Sequence, residues 1–179
     1  MESNDSNVVR WDATQWLERE DATGREGRLE RLKWIEKRFP ATNGMMGFLG
    51  GRLVVILFEE ARYCFVYGQY TAAIMAGMAF IEQSFAAQLY MVGNNHLERA
   101  NLETLLQEVR KREWITQAQF DELESARKNH DALAHFRRPD HPETLDYRSV
   151  KQEEWPYEIL EQDAKNVLSI IFTGWGPSP

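Results

Sequence analysis

A single cysteine, Cys64, in a chain of 179 residues excludes an internal disulfide, so burial of apolar surface has to hold the fold. Cys64 lies in an apolar helical stretch and reads as a buried, inert small hydrophobe in a reducing compartment. Long apolar runs are missing as well. The longest nearly uncharged stretch, Gln69 to Ile81, ends at Glu82 and is too short to span a bilayer. The opening MESNDSNVVRW has no basic segment followed by an apolar one, so no secretory signal is read and a cytoplasmic location is expected. Positive charge is not in excess. At a net charge of -7, the chain as a whole does not attract nucleic acid, and any such contact needs a local basic patch. No run alternates strictly between apolar and polar residues, which argues against a sheet. There is no internal repeat and no low-complexity segment. The glycine-rich segment NGMMGFLGG, 43–51, follows no strand and precedes no Gly-Lys-Ser/Thr, so it is a loop and not a phosphate-binding loop.

What is present is apolar material at helical spacing. Hydrophobic residues make up 43% of the chain, with nine Phe, six Tyr and six Trp, enough for one sizeable core. Residues 1–24 are polar, and a helix is expected over 26–39, where Leu29, Leu32, Ile35 and Phe39 recur at helical intervals. Two central helices follow. One covers 52–67, with Leu53, Ile56, Leu57, Glu60, Ala61 and Cys64 on its buried face and Gly68 as its stop. The other covers 70–92, with a stripe of Tyr70, Ala73, Ile74, Gly77, Ile81, Ser84, Phe85, Gln88 and Leu89, and its all-round apolar first half places it at the centre. A further helix is expected over 97–114. Thr116 then caps another that runs to 136, the loop RRPDHPE follows, and a last helix covers 156–172. This pattern predicts an all-α, up-and-down antiparallel helical bundle over 51–179. Residues 1–50 form an N-terminal polar and helical extension with the glycine-rich loop. An orthogonal helical array is the alternative.

Chemistry-bearing residues concentrate in ESARKNHDALAHFRRP, 124–139. Arg127, Asp131 and His135 are spaced four apart and share a helix ridge, so Asp131 is placed to orient His135 or to pair with Arg127. His130, Lys128, Asn129, Arg137 and Arg138 complete the densest basic group near any histidine. A helix C-terminus that attracts cations, together with an ordinary Arg–Asp surface pair, explains the same residues without function. Glu82 and Gln83 interrupt the apolar central helix, and a buried carboxylate there needs a partner. A di-metal bundle site needs a Glu and a His three apart on each of two helices. No Glu-x-x-His occurs despite Glu59, Glu60 and Glu82, so neither a metal nor a cofactor is expected. The scattered tryptophans read as core or rim packing.

The segments FEEARYCFVYGQYTAAIMAGMAFIEQSF, 58–85, and HFRRP, 135–139, together resemble the HEPN superfamily of small helical nucleotide- and RNA-binding domains. The first is similar to that family's opening helical hairpin, in which a helix ends at a small residue, a Tyr follows, and an alanine-rich helix carries a glutamate. The second closes a helix in the manner of the family's motif, an arginine, often followed by asparagine, then a few residues and a histidine. The likeness covers roughly 52–172. It implies a metal-independent ribonuclease chemistry in which His135 and an arginine act on the 2'-hydroxyl and the phosphate, usually across a homodimer cleft. Glu82 would face the motif helix, and a toxin or defence role with an antitoxin-like protein partner would fit. Counted back from His135, the Arg–Asn positions fall on His130 and Asp131, while Arg127 is separated from His135 by seven residues. The readings are therefore three: a HEPN-like module, catalytically weak or silent, that binds RNA, a nucleotide or a protein; an active endoribonuclease using His135 with Arg127, with His130 and Asp131 beside them; or a helical scaffold.

Overall fold

The computed structural model describes residues 12–39 and 49–173. They form seven α-helices and no strand: α1 (Ala13–Arg38), α2 (Gly51–Val66), α3 (Tyr70–Met91), α4 (Leu102–Lys111), α5 (Gln117–Ala134), α6 (Leu145–Gln152) and α7 (Pro156–Thr173). A short 3-10 turn, Asn95–Leu97, precedes α4. The chain is an all-α helical bundle. No helix of the described residues is long and apolar enough to cross a membrane.

The apolar sequence of α3 puts it at the centre, where it packs against α2, α4, α5 and α7. Every residue of its expected stripe except Gln88 is buried. Gly77 sits where α7 comes closest: a Cβ there would lie 2.5 Å from Val167 Cγ1. The hairpin between α2 and α3 turns at Gly68, whose φ of +74° is left-handed and suits a residue without a Cβ.

Four helical expectations are revised. The first helix begins at Ala13, well ahead of 26, because the Asp12 carboxylate accepts hydrogen bonds from the Thr14 and Gln15 amides. Its Leu29 and Leu32 are exposed; Arg31, Trp34 and Ile35 dock the helix instead. The buried face of α2 is Val54, Phe58, Ala61 and Phe65, while Leu53 and Ile56 face outward. Both faces of α2 are apolar, and the two phenylalanines find aromatic partners: Phe58 meets Phe39, Phe80 and Phe172, and Phe65 meets Trp34. Cys64 is half-buried at the rim of this packing, not fully enclosed, and burial pushes its thiol pKa up, with Glu60 adding to the effect. The helix expected over 97–114 starts only at Leu102, where the Asn101 side chain accepts from the Thr104 amide and restarts the chain. The stretch between 139 and 156 also holds the short α6, capped by Thr144, whose hydroxyl accepts from the Tyr147 amide. Thr116 caps α5 as expected, reciprocally with Gln119.

A polar cluster ties α1 to the bundle. Arg31 Nε donates to the Val66 carbonyl at 2.9 Å and Arg31 Nη1 to Tyr70 Oη at 3.2 Å, while Tyr70 Oη donates to Glu161 Oε2 at 2.8 Å. Tyr70 is 3% exposed. Burial, then the Glu161 hydrogen bond and charge, push its pKa up to about 12, against the opposing effect of Arg31. A raised folded-state pKa means that the tyrosine's contribution is complete below pH 10. Above that pH the unfolded chain releases a proton that the folded chain keeps. Stability is therefore expected to fall between pH 10 and 12, by on the order of 2 kcal/mol for this group. Urea midpoints of the wild type and Tyr70→Phe across that range isolate the effect. Parallel curves for the two proteins would refute it.

Candidate functional site

The expected site residues do not all meet. Glu82 of α3, Glu103 of α4, and Arg127, His130, Asp131 and His135 of α5 and its cap line one cleft of about 480 Å³, with Met78 and Leu102 in its wall. The i, i+4 spacing puts Arg127 and Asp131 on the same ridge of α5, as expected. His135 is the C-cap of α5, in extended conformation, and exposed, because the helix stops at Ala134 and not at Phe136.

The guanidinium of Arg127 is held at all three nitrogens. Its Nε and Nη2 donate to the two carboxylate oxygens of Glu124, each at 2.7 Å, and its Nη1 donates to Asp131 Oδ2 at 2.6 Å. Only 15% of the side chain is exposed. The Glu124 hydrogen bonds raise the Arg127 pKa further above its ordinary range, against burial, and the same bonds lower that of Glu124. Three of the five guanidinium N–H donors are taken by two carboxylates, so its orientation is fixed and its charge is offset locally before any phosphate approaches. His130 Nδ1 stands 3.4 Å from Asp131 Oδ1, so Asp131 serves His130 and Arg127 and not His135. With Glu82, Glu103 and Asp131 in its wall, the cleft is acidic. Among the described residues, no three His, Cys, Asp or Glu side chains are grouped as a metal ion would require.

The residues assigned to phosphate contact separate into two groups. Asn129 points away from the cleft and donates to Asp163 Oδ1 at 3.2 Å; Asp163 also accepts two hydrogen bonds from Arg148. It is a structural residue. Lys128 is exposed and stands 3.6 Å from Glu124. Arg137 and Arg138 are exposed on the loop after α5. Arg137 donates only to the carbonyl of Phe136, and Arg138, with 83% of its side chain exposed, stands 3.6 Å from Asp140.

Sequence reasoning missed two residues here. Phe136 is 88% exposed, the most exposed large apolar side chain among the described residues. The sequence pattern places it at the end of the helix. With the helix ending two residues earlier, it projects between His135 and two arginines. The triplet of an aromatic residue followed by two cations was the available signal. Glu103 was also missed, since nothing in its local sequence ties it to α5.

Comparison with protein-family models, with curated proteins and with solved structures finds no match to this chain.

Proposed function

We propose that this protein is a HEPN-like helical module that binds RNA through the loop His135–Phe136–Arg137–Arg138 and is catalytically weak or silent. The observation that carries the reading is the contrast between two neighbouring surfaces. The cleft that would house the reaction is acidic, and its arginine is locked between Glu124 and Asp131. The loop beside it presents an exposed aromatic ring flanked by a histidine and two cations. Cations supply sequence-independent attraction to the phosphate backbone, and an exposed ring offers a stacking platform for an unpaired base. Strand cleavage needs a cation fixed at the phosphate beside the acid-base group; Arg127 is fixed but has its charge offset by Glu124 and Asp131, and Arg137 is exposed on the loop with no side-chain partner among the described residues to fix it. The working unit in this reading is a homodimer, each copy presenting its own loop.

The test is binding and cleavage of a mixed single-stranded RNA pool by the full chain, with EDTA present. Wild-type binding is expected to weaken steeply with salt. Arg137→Ala with Arg138→Ala is expected to flatten the log–log salt slope by roughly 1.4, about 0.7 per lost phosphate contact on a single strand. Phe136→Ala is expected to cost about 1–3 kcal/mol of affinity without changing that slope. His135→Ala is expected to bind nearly as well as the wild type. Absence of binding at low salt would end this reading. EDTA-resistant cleavage that disappears in His135→Ala would replace it with the active endoribonuclease.

A further inference from the structure

We infer that two copies of this chain associate through the outward face of α2, crossing antiparallel about Ile56. The starting point is that α2 is apolar on two faces and the bundle uses only one. Outside the core, Leu53, Ile56, Glu60 and Tyr63 of α2 follow one another at intervals of three, four and three residues, the seam spacing of paired helices, with Leu49 just before the helix and Tyr67 at its C-cap. All six are exposed. Tyr63 and Tyr67 stack at 4.5 Å, and Arg28 of α1 lies over the Tyr67 ring at 5.3 Å, so this end of the face is already ordered. Leu32 of α1 joins Tyr63 and Tyr67 along the groove between the two helices.

The size of the face suits a second copy. Leu32, Leu49, Leu53, Ile56, Tyr63 and Tyr67, each about half exposed, amount to roughly 600 Å² of side chain before any polar rim, against the ~800 Å² each partner of a standard interface buries.

Charge then selects the partner. Arg62 is held by Glu59 within its own copy, at 3.1 Å. Arg52 and Glu60, both exposed, make no ion pair among the described residues. They lie eight residues apart with Ile56 midway, about 12 Å along the helix axis. A two-fold axis through Ile56 with the helices antiparallel sets Arg52 of each copy against Glu60 of the other. The contact is self-complementary, as an isologous interface requires. Neither α1 nor α2 lines the cleft at His135. The two clefts therefore remain apart in this dimer, and no site is shared between copies. The inference supplies an interface for the homodimer of the RNA reading; because each copy binds through its own loop, a wild-type monomer would overturn the interface without ending RNA binding.

The experiment is sedimentation equilibrium on the full chain, with circular dichroism to confirm folding. The wild type is expected to be dimeric at micromolar concentration. Ile56→Asp is expected to be monomeric with an unchanged helical spectrum, since Ile56 is solvent-exposed in the single chain. Arg52→Glu and Glu60→Arg alone are each expected to weaken the dimer at least tenfold, by placing like charges opposite one another. The double charge exchange is expected to recover wild-type association to within about threefold. A wild-type monomer at tens of micromolar would overturn the inference. So would a dimer indifferent to Ile56→Asp, or single variants that the double exchange fails to rescue. Loss of dimer on His135→Asp, with Ile56→Asp silent, would assign the interface to the cleft instead.

Discussion

Asp163→Ala is expected to destabilise the fold by about 3–5 kcal/mol, the usual consequence of removing one partner from a buried ion pair. Asp163 is 5% exposed and accepts from Arg148 Nη1 at 2.6 Å, from Arg148 Nη2 at 2.8 Å and from the Asn129 amide at 3.2 Å. Three helices meet at this one carboxylate: α5 through Asn129, α6 through Arg148 and α7 through Asp163 itself. Without it, the Arg148 guanidinium keeps its charge in a site where only 17% of the side chain reaches water. That uncompensated charge, more than the lost attraction, sets the size of the effect. Replacing both partners by apolar residues, Arg148→Met with Asp163→Leu, is therefore expected to cost much less than Asp163→Ala alone. Denaturant unfolding of the three proteins measures the difference. A double variant no more stable than Asp163→Ala would show that the uncompensated charge does not set the loss and that the argument is wrong. Because α6 follows the loop that carries His135 to Arg138, RNA binding is expected to weaken in Asp163→Ala as well.

Gly77→Ala is expected to destabilise by about 3 kcal/mol, at the upper end of the range for overpacking a close-packed core. Helix propensity alone predicts the opposite sign, since alanine is favoured over glycine in a helix interior by about 1 kcal/mol. Tertiary contact decides the sign. The added carbon would lie 2.5 Å from Val167 Cγ1 and 3.4 Å from Ile171 Cδ1, across the contact between α3 and α7. Valine is β-branched and has little freedom at χ1, so it does not step aside cheaply. Combining Gly77→Ala with Val167→Ala removes the clashing carbon and is expected to recover part of the loss. Thermal unfolding of the single and double variants measures this. A Gly77→Ala protein more stable than the wild type would refute the close approach.

The sequence was most legible where one pattern had one solution. The stripe from Tyr70 to Leu89 is apolar enough that only a central position buries it, and α3 is central. Thr116 followed three residues later by Gln119 is a local device, and the cap it forms needs no distant partner. The all-α character and the α2–α3 hairpin follow from periodicity and turn signals of this kind, whereas a Glu82 that faces the helix of Arg127 and His130 was implied by the family resemblance alone. Which face of α2 turns inward was not local information. Leu53 and Ile56 compete with Phe58 and Phe65 on equal terms along the chain, and only the rings of Phe39, Phe80, Phe172 and Trp34, arriving from three other helices, settle the contest. The same limit governs the site. The spacing from Arg127 to Asp131 is written in the sequence. That Glu124 takes two of the guanidinium nitrogens, that Asn129 turns toward Asp163, and that Phe136 is left in solvent depend on where α5 ends and what packs beside it. Short-range spacing determines which side chains share a helix face. Competition for burial and charge between helices distant in sequence, visible only in the packed bundle, decides which of them remain free to act.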